Sequence, residues 1–192
     1  MIVELAEQEE DHLIDLSRKG DREAYGMLVG RHYPGVIQVV YRMCGEVQVA
    51  EDAAQEAFIK AWLKLSAFQP QTSFRSWLYR IALNTALDVL RRRTEANLDD
   101  ERAALLADAA PGPEAVLLAK ELAGRVQTAV QALPEAAREV VVLREYGGLS
   151  YHEISDVLEI PIGTVMSRLN YARDKLRKTL EWYPSETERT NV

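Results

Sequence analysis

A single cysteine, Cys44, is all the thiol chemistry in these 192 residues. It excludes an internal disulfide and a multi-thiolate zinc site. In the run VIQVVYRMCG it reads as a small core residue. The three histidines, His12, His32 and His152, lie on separate segments, and no phosphate-binding glycine loop, Cys/His cluster or nucleophile elbow accompanies them. Catalysis, a metal and a cofactor are therefore not expected. No apolar run approaches the ~18 residues of a membrane span, and no charged-then-apolar leader opens the sequence. This points to a soluble protein of a reducing, cytoplasmic compartment without membrane insertion. Alternation of apolar and polar residues is also rare, which disfavours strands. Overall positive charge is missing too: the formal net charge is -7, which argues against a simple nucleic-acid-coating protein.

The charge that is present is segregated. Phe68 to Arg93 holds five arginines and one aspartate, and Pro161 to Lys178 holds three arginines, two lysines and one aspartate, so each stretch carries +4. Local sign decides what a surface attracts, so two basic stripes on an acidic chain suit phosphate binding.

The pattern predicts an all-α chain of two small helical domains joined by a linker. A first helix is expected over Glu9–Lys19, stopping at Gly20. Asp21 caps a second from Arg22 that Pro34-Gly35 interrupts or kinks. A third runs over Val47–Ser66, a loop over Ala67–Thr72, and a fourth over Thr72–Arg93. Residues Thr94–Pro113, acidic and ending in Pro-Gly-Pro, read as a flexible linker with one weak turn around Arg102–Leu106. Twenty extended residues span ~65 Å, so two domains can touch sites well apart on one DNA. Helices follow over Glu114–Leu133, from Pro134 to Tyr146, over Tyr151–Leu158 behind the capping box Ser150–Glu153, and from Gly163 to Glu181.

Two segments carry chemistry. In the fourth helix Phe74, Leu78, Ile81, Thr85 and Val89 form a buried-type stripe, while Trp77, Arg80, Asn84, Leu87 and Arg91 recur on a neighbouring face. The second stripe combines a stacking ring, a base-reading amide and guanidinium groups, as single-stranded nucleic acid requires. Taken alone, a helical Trp belongs more often to a core and an Arg to a solvated rim. The last two helices, short and long around Pro161 and Gly163, have helix-turn-helix spacing. The longer buries Val165, Leu169, Ala172 and Leu176 and presents Thr164, Met166, Ser167, Arg168, Asn170, Tyr171 and Lys175, as a recognition helix does.

GTVMSRLNYARDKL and LSYHEISDVLEIPIGTV resemble the −35-reading helix-turn-helix of extracytoplasmic-function (ECF) sigma factors, a group of the sigma-70 family. AEDAAQEAFIKAWLKLSAF resembles that family's region 2.2, SFRSWLYRIALNTALDVLRRR its regions 2.3 and 2.4, and DREAYGMLVGRHYPGVIQVVYRMCG its region 2.1. The likeness covers about Glu9 to Leu180 and implies region 2 over residues 9–93, a linker over 94–113 and region 4 over 114–183. It implies an alternative sigma factor that directs promoter-specific initiation. The implied partners are core RNA polymerase, through the β′ clamp helices and the β subunit, promoter DNA, and an anti-sigma factor.

The resemblance also distributes roles. Ala50, Ala54, Ala57, Phe58, Ala61 and Leu65 face inward on the third helix. Asp52, Gln55, Glu56 and Ile59 face out, where the family docks on the β′ clamp; by spacing alone that stripe is a solvated face. The loop Phe68–Phe74 matches the −10 specificity loop, where a base leaves the stack. Phe68, Phe74, Trp77, Arg80 and Asn84 are assigned there, with Lys60, Arg91, Arg92 and Arg93 on phosphates. Thr164, Met166, Ser167, Arg168, Asn170, Tyr171 and Lys175 are assigned to the −35 element. Many relatives carry basic residues where Met166 and Tyr171 stand, and neither residue can bond guanine bidentately, so the −35 sequence does not carry over. A stand-alone helix-turn-helix regulator accounts for Ser150–Leu180 but for neither the Asp52–Glu56 nor the Trp77–Arg91 stripe. A helical adaptor leaves both basic stripes unused.

Overall fold

The structure, a computed structural model, describes residues 2–69, 72–99 and 114–181. Among the described residues it consists of eight α-helices and one 3-10 turn, without strands. The first unit is α1 (Ile2–Arg18), α2 (Arg22–Cys44), α3 (Val47–Lys64), the 3-10 turn Leu65–Ala67, and α4 (Phe74–Asp99). The second is α5 (Glu114–Gln131), α6 (Glu135–Glu145), α7 (Tyr151–Leu158) and α8 (Ile162–Glu181). Loop residues 70 and 71, and the linker turn expected over 102–106, lie outside the described residues.

Alanine sets the spacing in the first unit. Ala50, Ala53, Ala54, Ala57 and Ala61 of α3 are fully buried, so α2 and α4 approach its backbone closely. Gly35 of α2 serves the same end, because a Cβ there would lie 2.4 Å from the Tyr79 hydroxyl of α4. Asp21 caps α2 by accepting from the amides of Glu23 and Ala24 at 2.9 and 3.0 Å.

Three expectations are corrected. First, Pro34 neither interrupts nor ends α2, which runs through it. The lost hydrogen bond would go to Gly30, and both residues are exposed, so water satisfies the carbonyl while buried Val36, Val39, Val40 and Met43 hold the following turns. Second, α1 starts well before Glu9. Third, α4 continues past Arg93 into the expected linker. Arg92 and Arg93 tie its last turns to α3 through Glu56 at 3.3 Å and Glu46 at 2.8 Å.

In the second unit the expected capping box is present: Ser150 accepts from the Glu153 amide, and Glu153 accepts from the Ser150 amide at 2.8 Å. The tight turn to α8 is made by Glu159 at φ 53° and by the Ser155 hydroxyl, which donates to the Ile160 carbonyl at 2.6 Å. Val165, Leu169 and Ala172 seat α8 on the core.

The two units are in direct contact, and polar side chains make the joint. The last carbonyls of a helix have no partner within it. Those of α2 receive donors from the second unit. Gln127 donates to Tyr41 at 3.2 Å, Gln131 to Arg42 and Met43 at 2.7 and 3.1 Å, and Arg138 to Met43 at 3.3 Å. Gln127, only 7% exposed, also accepts from Arg42 at 2.7 Å. The Arg42 guanidinium lies 4.5 Å from the centre of the Tyr146 ring. Gln131→Ala should therefore strand the Arg42 carbonyl, while Arg138 still serves that of Met43, and cost about 1–3 kcal/mol, read as a lower urea midpoint. An unchanged midpoint would mean that water replaces the amide without loss.

Candidate nucleic-acid interface

The α4 face is built on an aromatic base. Phe68, Phe74 and Trp77 pack with ring centroids 5.2–5.7 Å apart, and the Arg18 guanidinium sits 5.5 Å from the Phe68 centroid. Arg18 also donates to the Phe68 carbonyl, which pins the loop entrance to α1. Phe68 and Phe74, at the two ends of the expected −10 loop, are 5% and 3% exposed. Both rings pack against Trp77, which is half-buried. Ser73 caps α4, its hydroxyl accepting from the Ser76 amide at 3.1 Å.

Beside Trp77 runs a groove of about 310 Å³ lined by Lys60, Lys64, Trp77, Arg80, Asn84 and Asp88, among others. The expected −10 residues Lys60, Trp77, Arg80 and Asn84 thus meet in one place. Lys64 is an addition: at the end of α3 it carried no local signal beyond its charge. Lys60 bonds the buried Thr85 hydroxyl at 3.3 Å and Glu56 at 2.8 Å. Arg91, Arg92 and Arg93 are exposed one turn further along α4.

On α3, Asp52, Gln55 and Ile59 are exposed as expected, Ile59 at 61%. Leu63, one turn on and 72% exposed, extends the stripe and escaped the sequence reading. Glu56 is not a lone carboxylate. The hydrogen bond from Lys60, then Arg92, holds it below the usual carboxylate range against a partial burial that acts the other way. On α8, Met166, Ser167, Asn170, Tyr171 and Lys175 are exposed and Thr164 and Arg168 are half-buried, so the expected outward face is outward.

The groove and the helix-turn-helix also meet. Arg80 bonds Glu159, and Arg75 reaches Glu153 at 3.4 Å. The Ser73 hydroxyl donates to that of Ser76 at 2.8 Å, and the Ser76 hydroxyl donates to the same Glu153 oxygen at 3.3 Å. Burial raises the Glu153 carboxyl, but bonds from Ser150 and Arg75 outweigh it and leave it below the usual range. The sequence could not reveal these pairs, whose members lie 77–79 positions apart.

The comparisons agree with this architecture. The family model described as Sigma-70 region 2 matches residues 28–96, and that described as Sigma-70, region 4 matches residues 123–176. The RNA polymerase sigma-H factor of Pseudomonas aeruginosa is 36% identical over 92% of this chain and 96% of its own length. The ECF RNA polymerase sigma factor SigW of Bacillus subtilis is 38% identical over 85% of this chain and 92% of its own. Among solved structures, CnrH in complex with the cytosolic domain of CnrY superposes with a TM-score of 0.70 at 31% identity, covering 90% of this chain and 97% of that one. The sigma factor RpoE of Bartonella quintana, in complex with the anti-sigma factor NepR, shares the fold with a TM-score of 0.67 at 22% identity over 82% of this chain and 96% of its own. With two sigma-70 regions in order and relatives alike along nearly their whole length, the chain belongs to the extracytoplasmic-function group of the sigma-70 family of RNA polymerase sigma factors.

Proposed function

We propose that the chain docks on core RNA polymerase through the α3 stripe of Asp52, Gln55, Glu56, Ile59 and Leu63, opens promoter DNA at the α4 groove, and reads a −35 element with the outward face of α8. The observation that carries this reading is the pairing of two unlike surfaces on one helical unit. An acidic and apolar stripe suits a basic protein partner, and a basic and aromatic groove suits single-stranded DNA. A stand-alone regulator has no use for the first. The chain's own part is positioning: Trp77 stacks, Asn84 offers an amide to a base edge, and Lys60, Arg80 and Arg91–Arg93 track phosphates, while the polymerase performs the chemistry.

Promoter-directed transcription in vitro tests it. Core polymerase should give specific start sites only when the chain is added; the chain alone should bind the same DNA weakly. Specific duplex binding without polymerase, and no stimulation of transcription, would overturn the proposal in favour of the stand-alone regulator. Its place of action is then the cytoplasm, where polymerase works; among the described residues no helix is long and apolar enough to cross a membrane. One structural neighbour was solved with the cytosolic domain of CnrY and another with the anti-sigma factor NepR, which supports an anti-sigma partner here as well. Because the two units already touch, such a partner fits better wrapped around them than wedged between them.

A further inference from the structure

We propose that the second unit masks the −10 groove, with the carboxylates of Glu153 and Glu159 standing where DNA phosphates would bind. The inference rests on reading the α4 face as the single-strand site.

Five cations along that face, Lys60, Arg75, Arg80, Arg92 and Arg93, already have a carboxylate. Lys60 and Arg92 share Glu56, and Arg93 holds Glu46, all within the first unit. These pairs persist whatever the second unit does. Arg75 and Arg80 differ, because their carboxylates come from α7 and from the turn after it. A carboxylate oxygen accepts the same N–H donors as a phosphate oxygen. Ser76, in the first turn of α4, turns its hydroxyl to Glu153 as well, with Ser73 bonded behind it, so a serine and an arginine donate to one carboxylate oxygen.

One residue assigned to the −35 element, Arg168, is drawn in too. A cavity of about 200 Å³ between the units is lined by Arg80 and Asn84 on one side and by Glu139, Glu159 and Arg168 on the other. Residues assigned to two DNA elements thus face one small space. In this arrangement the chain cannot engage both elements on an extended promoter. The bonds from Gln127, Gln131 and Arg138 to the end of α2 hold the units together, and the glutamate pairs make that state inhibitory. The glutamate pairs are partly exposed, so salt screens them and a denser polyanion displaces them.

The test uses the full chain without polymerase and a fluorescein-labelled single-stranded DNA of mixed sequence, about 12 nucleotides long. The variant is Glu153→Gln with Glu159→Asn. Glutamine still completes the capping box, and asparagine tolerates the left-handed backbone at position 159. Anisotropy should show binding at least about tenfold tighter than the parent at low salt. The log–log salt slope should steepen by about 1.4, since each of two freed cations adds about 0.7 on a single strand. A control, Asp11→Asn with Glu51→Gln, removes two exposed carboxylates elsewhere and should gain far less. Unchanged affinity, or an equal gain in the control, overturns the proposal. X-ray scattering then says which part failed. A variant that expands without gaining DNA affinity refutes the single-strand reading of α4 and the phosphate mimicry with it. One that stays compact and gains nothing shows that the two glutamate charges are not what keeps DNA off the face.

Discussion

Reversing Asp52 and Glu56 to lysine is expected to abolish assembly with core polymerase while leaving the helical content intact. Both residues stand on the solvent side of α3, whose opposite side is the fully buried alanine row. The fold therefore has no stake in their charge beyond the exposed pairs of Glu56 with Lys60 and Arg92, and exposed pairs contribute little. A docked partner has much at stake. Truncating one member of a buried charged pair costs about 2–5 kcal/mol, and reversal adds repulsion. Two reversals should push the complex beyond the range where holoenzyme forms at micromolar protein. Co-elution on size exclusion, with circular dichroism as the fold control, reads both halves. Glu56→Gln alone separates the two roles of that carboxylate. It should weaken docking only partly, because Asp52, Gln55, Ile59 and Leu63 remain. Full assembly by the double reversal would move the polymerase contact off α3.

What the sequence could disclose was local. The alanine row of α3, the capping box at Ser150 and the outward face of α8 follow from spacing along one helix, and the structure places each where spacing puts it. Errors arose where tertiary context overrides local preference. Pro34 carries a helix-breaking signal, yet the apolar turn after it packs so completely that the helix continues. Phe68 and Phe74 flank a loop next to a basic stripe, and no spacing along the chain shows that both rings are buried against Trp77. Gln127 and Gln131 look like ordinary polar helix positions, since their partners are carbonyls 86–89 residues away. The same distance hid the pairing of Arg75 and Arg80 with Glu153 and Glu159.

Asn84 and Asn170 should part company when each is changed. Asn84 lies exposed on α4 within the groove, one turn from Arg80 and two from Trp77. The Trp77 ring is fixed by Phe68 and Phe74, so stacking should survive Asn84→Ala and only the hydrogen bonds to a base edge should go. Holoenzyme with this change should still bind duplex promoter, yet permanganate reactivity of melted thymines should fall on promoters carrying the preferred −10 base. Asn170 is exposed on α8, where a recognition helix meets the major groove. Asn170→Ala should leave melting intact once bound, but lose about 1–3 kcal/mol of discrimination at one −35 base pair. Binding measured across all substitutions of that element reads the loss as a flattened preference at a single position. Changing each residue in turn therefore assigns one to opening and the other to duplex reading. Uniform losses on every promoter sequence would instead make both residues phosphate contacts or structural supports, and the base-reading roles would have to move to Ser167 and Tyr171.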